Sequence, residues 1–134
     1  MIKKVLLLAV MLAMATAFYE GSSPVVSLNS DNYEQVNTGI WFVEYFASWC
    51  GHCRNMAPEW EKAAGALKGI VQVAAIDAGT HKVNVQGIQG FPTIRFLVNG
   101  QEKDYKGGRS AKDFVSFALD EVRKVHSWTN SDCI

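Results

Sequence analysis

Between residues 25 and 125 short apolar runs alternate with stretches of helical periodicity, punctuated by glycines and small polar residues. Val25-Val26-Ser27-Leu28 predicts a short strand, reached through an extended lead-in over residues 18–24. Ser30 or Asp31 is placed to cap a small helix around residues 33–36, which Gly39 ends. Residues 41–47 form an aromatic and β-branched run broken only by Glu44, as in a central strand covered on both faces. Met56, Trp60, Ala63 and Leu67 recur at helical spacing and predict a helix over residues 50–67, with Pro58 positioned to kink it.

A second buried strand is expected over residues 71–76, then a short irregular helix over residues 78–86 closed by Gly87. Asn99-Gly100 favours the positive φ values of a type I′ turn, so residues 93–98 and 101–105 read as a hairpin. Ser110 and Asp113 have the spacing of a capping box and open a final helix. Its inner face would carry Phe114, Phe117, Ala118, Val122 and Val125, with residues 127–134 as a polar, frayed tail. A strand–helix–strand unit followed by a hairpin and a helix makes a mixed sheet flanked by helices, an α/β sandwich.

Composition supports one domain. The 134 residues are 49% hydrophobic and 19% charged, enough to fill a core and too apolar for wholesale disorder. Thirteen basic residues balance thirteen acidic ones, which argues against nucleic acid as a partner. Part of the apolar content lies at the start, where Lys3 and Lys4 precede a greasy run ending in Ala15-Thr16-Ala17. That order predicts a secretory signal peptide over residues 1–17, cleaved after Ala17. A membrane span needs about 20 apolar residues, and Glu20-Gly21-Ser22-Ser23 interrupts this run too early. After cleavage the domain, residues 18–126, would be mildly acidic, free of the membrane and in an oxidising compartment.

The candidate chemistry is Cys50-Gly51-His52-Cys53, at the junction between the residue 41–47 strand and the following helix. A sulfur at a helix N-terminus meets unpaired backbone N–H groups and the positive end of the dipole, which favour a thiolate. His52 adds a neighbouring positive charge or a donor. Two intervening residues let one helical turn bring the sulfurs within bonding reach, so Cys50 reads as nucleophile and Cys53 as resolving thiol of a redox-active disulfide. A stabilised thiolate favours the dithiol and makes the disulfide oxidising, with each ~30 mV worth about 1.4 kcal/mol. Zinc would need two further ligands, and Cys133, His81 and His126 are widely separated, so no metal or other cofactor is expected. An inert structural disulfide is disfavoured because so small a loop restrains little chain entropy.

The run Val43-Glu44-Tyr45-Phe46-Ala47-Ser48-Trp49-Cys50-Gly51-His52-Cys53 resembles the protein disulfide isomerase family and its thioredoxin-like catalytic domain. Ala57-Pro58-Glu59-Trp60, Gly90-Phe91-Pro92-Thr93-Ile94 and Tyr105-Lys106-Gly107-Gly108-Arg109 extend the likeness over residues 25–125. It implies a thioredoxin-like α/β/α sandwich with a mixed central sheet, and a thiol–disulfide oxidoreductase/isomerase acting on secretory-pathway proteins. The implied partners are unfolded or disulfide-containing clients, together with a secretory-pathway thiol oxidase or glutathione. The implied compartment is the endoplasmic reticulum lumen, with secretion left open because Ser131-Asp132-Cys133-Ile134 is not a retention signal.

The resemblance also gives the supporting residues roles. Glu44 is either a strand-end acid paired with a lysine or a buried acid of raised pKa beneath Cys53, taking its proton. Pro92 would follow a cis bond and present the Phe91 backbone to an extended client. Arg109 is either a solvated cation or one that swings in to lower the Cys53 pKa. Trp49, Phe91 and Ile88 form an apolar client rim, or ordinary core. Two positions depart from the pattern: Ser48 replaces a common proline, and Ala75 replaces a lysine that often pairs with the buried acid. Cys133 is an odd thiol, incidental or bonded to another chain. Two other functions fit the same residues: a redox-regulated chaperone or binding module, and a thioredoxin-like reductant.

Overall fold

The structure, a computed structural model, describes residues 18–131, with side chains as far as Ser127. The expected leader, residues 1–17, and Cys133 lie outside the described residues. Five strands, β1 (Val26–Leu28), β2 (Ile40–Phe46), β3 (Gln72–Asp77), β4 (Thr93–Val98) and β5 (Gln101–Asp104), pair in the order β1-β3-β2-β4-β5. β3 runs parallel to both β1 and β2, whereas β4 is antiparallel to β2 and to β5. The near-continuous apolar run thus becomes the middle strand, buried on both faces.

Because side chains alternate along a strand, β2 feeds two cores. Phe42 and Phe46 join Met56, Trp60, Ala63 and Leu67 of helix α1 (Gly51–Ala66 and its C-cap) and Phe114 and Ala118 of helix α2 (Ala111–Ser131). Trp41, Val43 and Tyr45 face the other way, onto Leu28, Val36, Ala74, Ile76 and Leu97. The two helices share one face. Glu59 of α1 accepts the Ala111 N–H at 2.7 Å, setting an anion at the start of α2. Ser110 accepts the Asp113 N–H at 3.1 Å, so the expected cap forms.

Three expectations are corrected. Residues 78–86 form no helix, and the opposite face of the sheet is covered by a 3-10 turn (Tyr33–Asn37) and an irregular segment. His81, Val83 and Val85 are half-buried while Lys82, Asn84 and Gln86 are exposed. That is a period of two, which suits extended chain and cannot make a helical stripe. The 3-10 turn is braced not by Ser30 or Asp31 but by Asn29, whose side-chain oxygen accepts the Asp31 and Asn32 N–H groups at 2.8 and 3.1 Å. α2 runs on to Ser131 in place of a tail from residue 127, extended by ion pairs of Lys124 with Asp120 and Glu121. Pro58 sits within α1 without ending it. The hairpin turn is as expected, with Asn99 at φ 47° and Gly100 at φ 84°.

Phe42 holds the larger core together: its ring lies within 4.9–6.2 Å of the rings of Trp60, Phe96, Tyr105, Phe114 and Phe117. Phe42→Ala should therefore destabilise the fold by about 3–5 kcal/mol, read from the urea midpoint at constant m-value.

Candidate active site

β2 ends at Phe46, and a tight turn closed by the Cys50 N–H on the Ala47 carbonyl (3.0 Å) delivers the chain into α1. Cys50 is the N-cap of that helix in the way serine or aspartate usually is: its Sγ accepts the Cys53 N–H at 3.3 Å. On its other side the Cys50 thiol reaches the Phe91 carbonyl at 3.5 Å, and the Phe91-Pro92 bond is cis. Residues distant in sequence therefore meet at one sulfur. The approach loop is held by Arg54, which donates from Nη2 to the Ser48 carbonyl at 3.0 Å. Beneath it, a Cβ on Gly79 would come within 3.3 Å of the Ala47 Cβ and 3.2 Å of the Asp77 carboxylate, so this turn packs tightly under the loop.

Both cysteines are free thiols, and their surroundings differ. Cys50 retains 6% exposure, whereas Cys53 is fully buried. Burial pushes the Cys53 thiol up to about 12, and the bonded Cys50 thiol and the charge of Glu44 act in the same direction. Such a thiol stays protonated near neutral pH until a base takes its proton.

Glu44 lies within electrostatic reach of that thiol. It is fully buried in β2, and in register it lies between Ala75 of β3 and Ile94 of β4, neither charged. The reading as a carboxylate paired with a lysine is corrected: its Oε2 accepts the Tyr19 hydroxyl at 2.5 Å, and Oε1 has no partner among the described residues. Burial pushes the carboxyl up to about 7, partly opposed by the Tyr19 donor. Ala75 occupies the register position from which a cation would have reached it.

The remaining predicted residues separate. Trp49, 73% exposed, packs edge-on to Phe91 with centroids 5.7 Å apart, forming an apolar step beside the sulfur. Ile88 is half-buried against the Trp41–Val43–Tyr45 core on the opposite face and does not join that step. Gly51 and His52 are exposed on the first turn of α1. Arg109 is exposed and makes no hydrogen bond or ion pair among the described residues. It follows Gly107-Gly108, where a Cβ on Gly107 would press on the Tyr105 hydroxyl and one on Gly108 on the Asp113 carboxylate, so that a side chain at either position would displace its neighbour. Arg54 and Tyr19 were missed by sequence reasoning. An aromatic pair, Phe18-Tyr19, directly before a polar run was the available signal for the second. Among the described residues no cluster of three His, Cys, Asp or Glu side chains could hold a metal, and no helix is long and apolar enough to cross a membrane.

The thioredoxin family profile matches residues 24–120, and the chain belongs to that family. The chain is 46% identical over 123 residues to Protein disulfide isomerase-like 2-3 of Oryza sativa subsp. japonica, covering 87% of this chain and 28% of the relative. It is 40% identical over 114 residues to Protein disulfide-isomerase A6 of Homo sapiens, covering 80% and 26%. It thus spans under a third of the length of these curated relatives. Among solved structures it superposes on the first thioredoxin domain of mouse Protein disulfide-isomerase A4 with a TM-score of 0.68 and 33% identity, covering 77% of this chain and 79% of that one.

The burial asymmetry predicts single labelling: in a Cys133→Ser background at pH 7, iodoacetamide should modify Cys50 and spare Cys53, as peptide mapping would show. The raised Glu44 pKa has a stability consequence of definite sign. In the unfolded chain this carboxyl ionises around 4.5 and in the folded protein around 7, so the fold loses stability as pH rises through that window. Glu44→Gln should match wild type in urea unfolding near pH 4.5 and exceed it by about 3 kcal/mol at pH 8.

Proposed function

We propose that this chain is a thiol–disulfide oxidoreductase and isomerase for proteins of the secretory pathway, with Cys50 as nucleophile and Cys53 as resolving thiol. One observation carries the reading: the Cys50 sulfur caps α1, accepting a backbone N–H, while facing the Phe91 carbonyl beside cis-Pro92. That places a nucleophile next to backbone which an extended client can pair with as an added strand, over the Trp49–Phe91 step.

In the reductive direction the Cys50 thiolate attacks one sulfur of a client disulfide, forming a mixed disulfide and releasing the other client sulfur as thiolate. Cys53 then attacks the Cys50 sulfur and the second client thiol departs, leaving Cys50 and Cys53 joined and the client reduced by two electrons. The reverse sequence oxidises a client dithiol. In isomerisation a client thiol, rather than Cys53, resolves the mixed disulfide, with no net electron transfer.

Cys53 must lose a proton to attack, and Glu44 is the base assigned to receive it. His52, next to Cys50 on an exposed turn, is the residue assigned to set the redox poise of the pair. Arg109, exposed ahead of α2, is assigned a movement toward the dithiol that would favour the Cys53 thiolate. Glutathione disulfide, reduced to two glutathione thiols, or a thiol oxidase would re-form the disulfide after each oxidation. Residues 1–17 would direct the chain into the secretory pathway, and the disulfide-isomerase names of its relatives fit the endoplasmic reticulum as its compartment.

Reactivation of a reduced, scrambled client in a glutathione buffer tests the assignment. Wild type should accelerate recovery, Cys50→Ser should fall to the rate of buffer alone, and Cys53→Ser should accumulate a client-linked species on non-reducing gels. Equal activity of wild type and Cys50→Ser would remove the enzymatic role and leave a binding module.

A further inference from the structure

Glu44 is served by a residue outside the sheet and helices that form the site. We propose that Tyr19 is its positioning residue: the phenol holds one carboxylate oxygen by donating to it, and so sets the proton affinity with which the free oxygen takes the Cys53 proton. This rests on the role given above to Glu44.

The geometry is specific. Tyr19 lies in the segment before β1, and its buried ring packs edge-on against Phe18 (5.2 Å) and Phe46 (6.0 Å). Phe18 in turn stacks on Phe46 at 4.3 Å. Three rings thus fix the hydroxyl 2.5 Å from Glu44 Oε2, while Oε1 is left without a partner. Among the described residues no cation takes part. β3 and β4 present Ala75 and Ile94 beside Glu44, α1 brings Cys53 within electrostatic reach, and Glu61 of α1 acts on Tyr19.

A neutral donor suits this position chemically. A buried lysine would hold Glu44 ionised by full charge, and with no donor burial would keep it protonated past neutrality. A phenol stabilises the carboxylate through one charge-assisted hydrogen bond and adds no net charge. Tyr19 keeps its own proton, because burial and the adjacent carboxylate raise its pKa far above the ordinary phenol range. The step balances: Cys53 S–H gives its proton to Glu44 Oε1, the thiolate attacks the Cys50 sulfur, and the proton then leaves Glu44 for solvent or the departing client thiolate.

Tyr19→Phe keeps the ring and removes the donor. Two readouts apply: the pH dependence of the rate at which Cys53 releases a peptide disulfide-linked to Cys50, and the Glu44 carboxyl titration followed by carbon-13 NMR. Loss of a hydrogen bond to a charged group should raise the Glu44 midpoint and the acid limb together by about one pH unit. Release should slow about fivefold at pH 7 and match wild type above pH 9. In a Glu44→Gln background, Tyr19→Phe should add nothing. An unmoved midpoint, or equal slowing at every pH, would overturn the proposal and leave Tyr19 a packing residue. A profile unaltered by Glu44→Gln itself would instead overturn the role assigned to Glu44, a separate failure.

Discussion

One sulfur capping one helix organises this molecule's chemistry. The first turn of a helix carries N–H groups with no intrahelical acceptor, and here the Cys50 Sγ takes one of them in the place of a hydroxyl or carboxylate oxygen. The cap requires that β2 end where it does and that the Ala47–Cys50 turn close. It requires also that Arg54 hold the Ser48 carbonyl from the following turn of α1. The strand is fixed in turn by burial on both faces, through Phe42 on one side and Tyr45 on the other. The proposed nucleophile is thereby anchored to a strand buried on both faces, which is how a scaffold holds a reacting atom in register with an approaching backbone.

The second thiol gains its character from the same arrangement by the opposite route. One turn further along α1, Cys53 loses all contact with solvent and enters the low-dielectric space over Glu44. A dithiol of two equivalent groups could not order attack and resolution. Here one sulfur meets a backbone N–H and a neighbouring carbonyl, while the other is fully buried within electrostatic reach of an acid. In the proposed reaction unequal solvation would give the pair its sequence of events, and Glu44, whose carboxyl is pushed up to about 7 by burial, would couple the second event to proton supply.

Local patterns carried most of the architecture. The Trp41–Ala47 run announced a doubly covered strand, Asn99-Gly100 its hairpin, Ser110 and Asp113 the last helix, and the cysteine pair its place at a helix start. The failures share a cause. Residues 78–86 form no helix because Val83 and Val85 alternate with polar neighbours, and what they cover is a sheet face built from distant strands. Ile88 was grouped with Trp49 and Phe91 for its chemistry, yet it packs on the opposite side of β2, a distinction that needs the register of the sheet.

The sequence by itself determined the element types, the dithiol and its spacing, and the presence of a single acid in a greasy strand, because propensity, periodicity and capping act over a few neighbouring residues. Only the tertiary structure decided what that acid touches. Tyr19 and Glu44 are 25 residues apart, Cys50 and Phe91 are 41 apart, and Ala75 leaves open the register position beside Glu44. Such pairings depend on how strands stack and which faces are closed. Proton affinity in a core is likewise a property of the space around a group, set by neighbours the chain brings from far away.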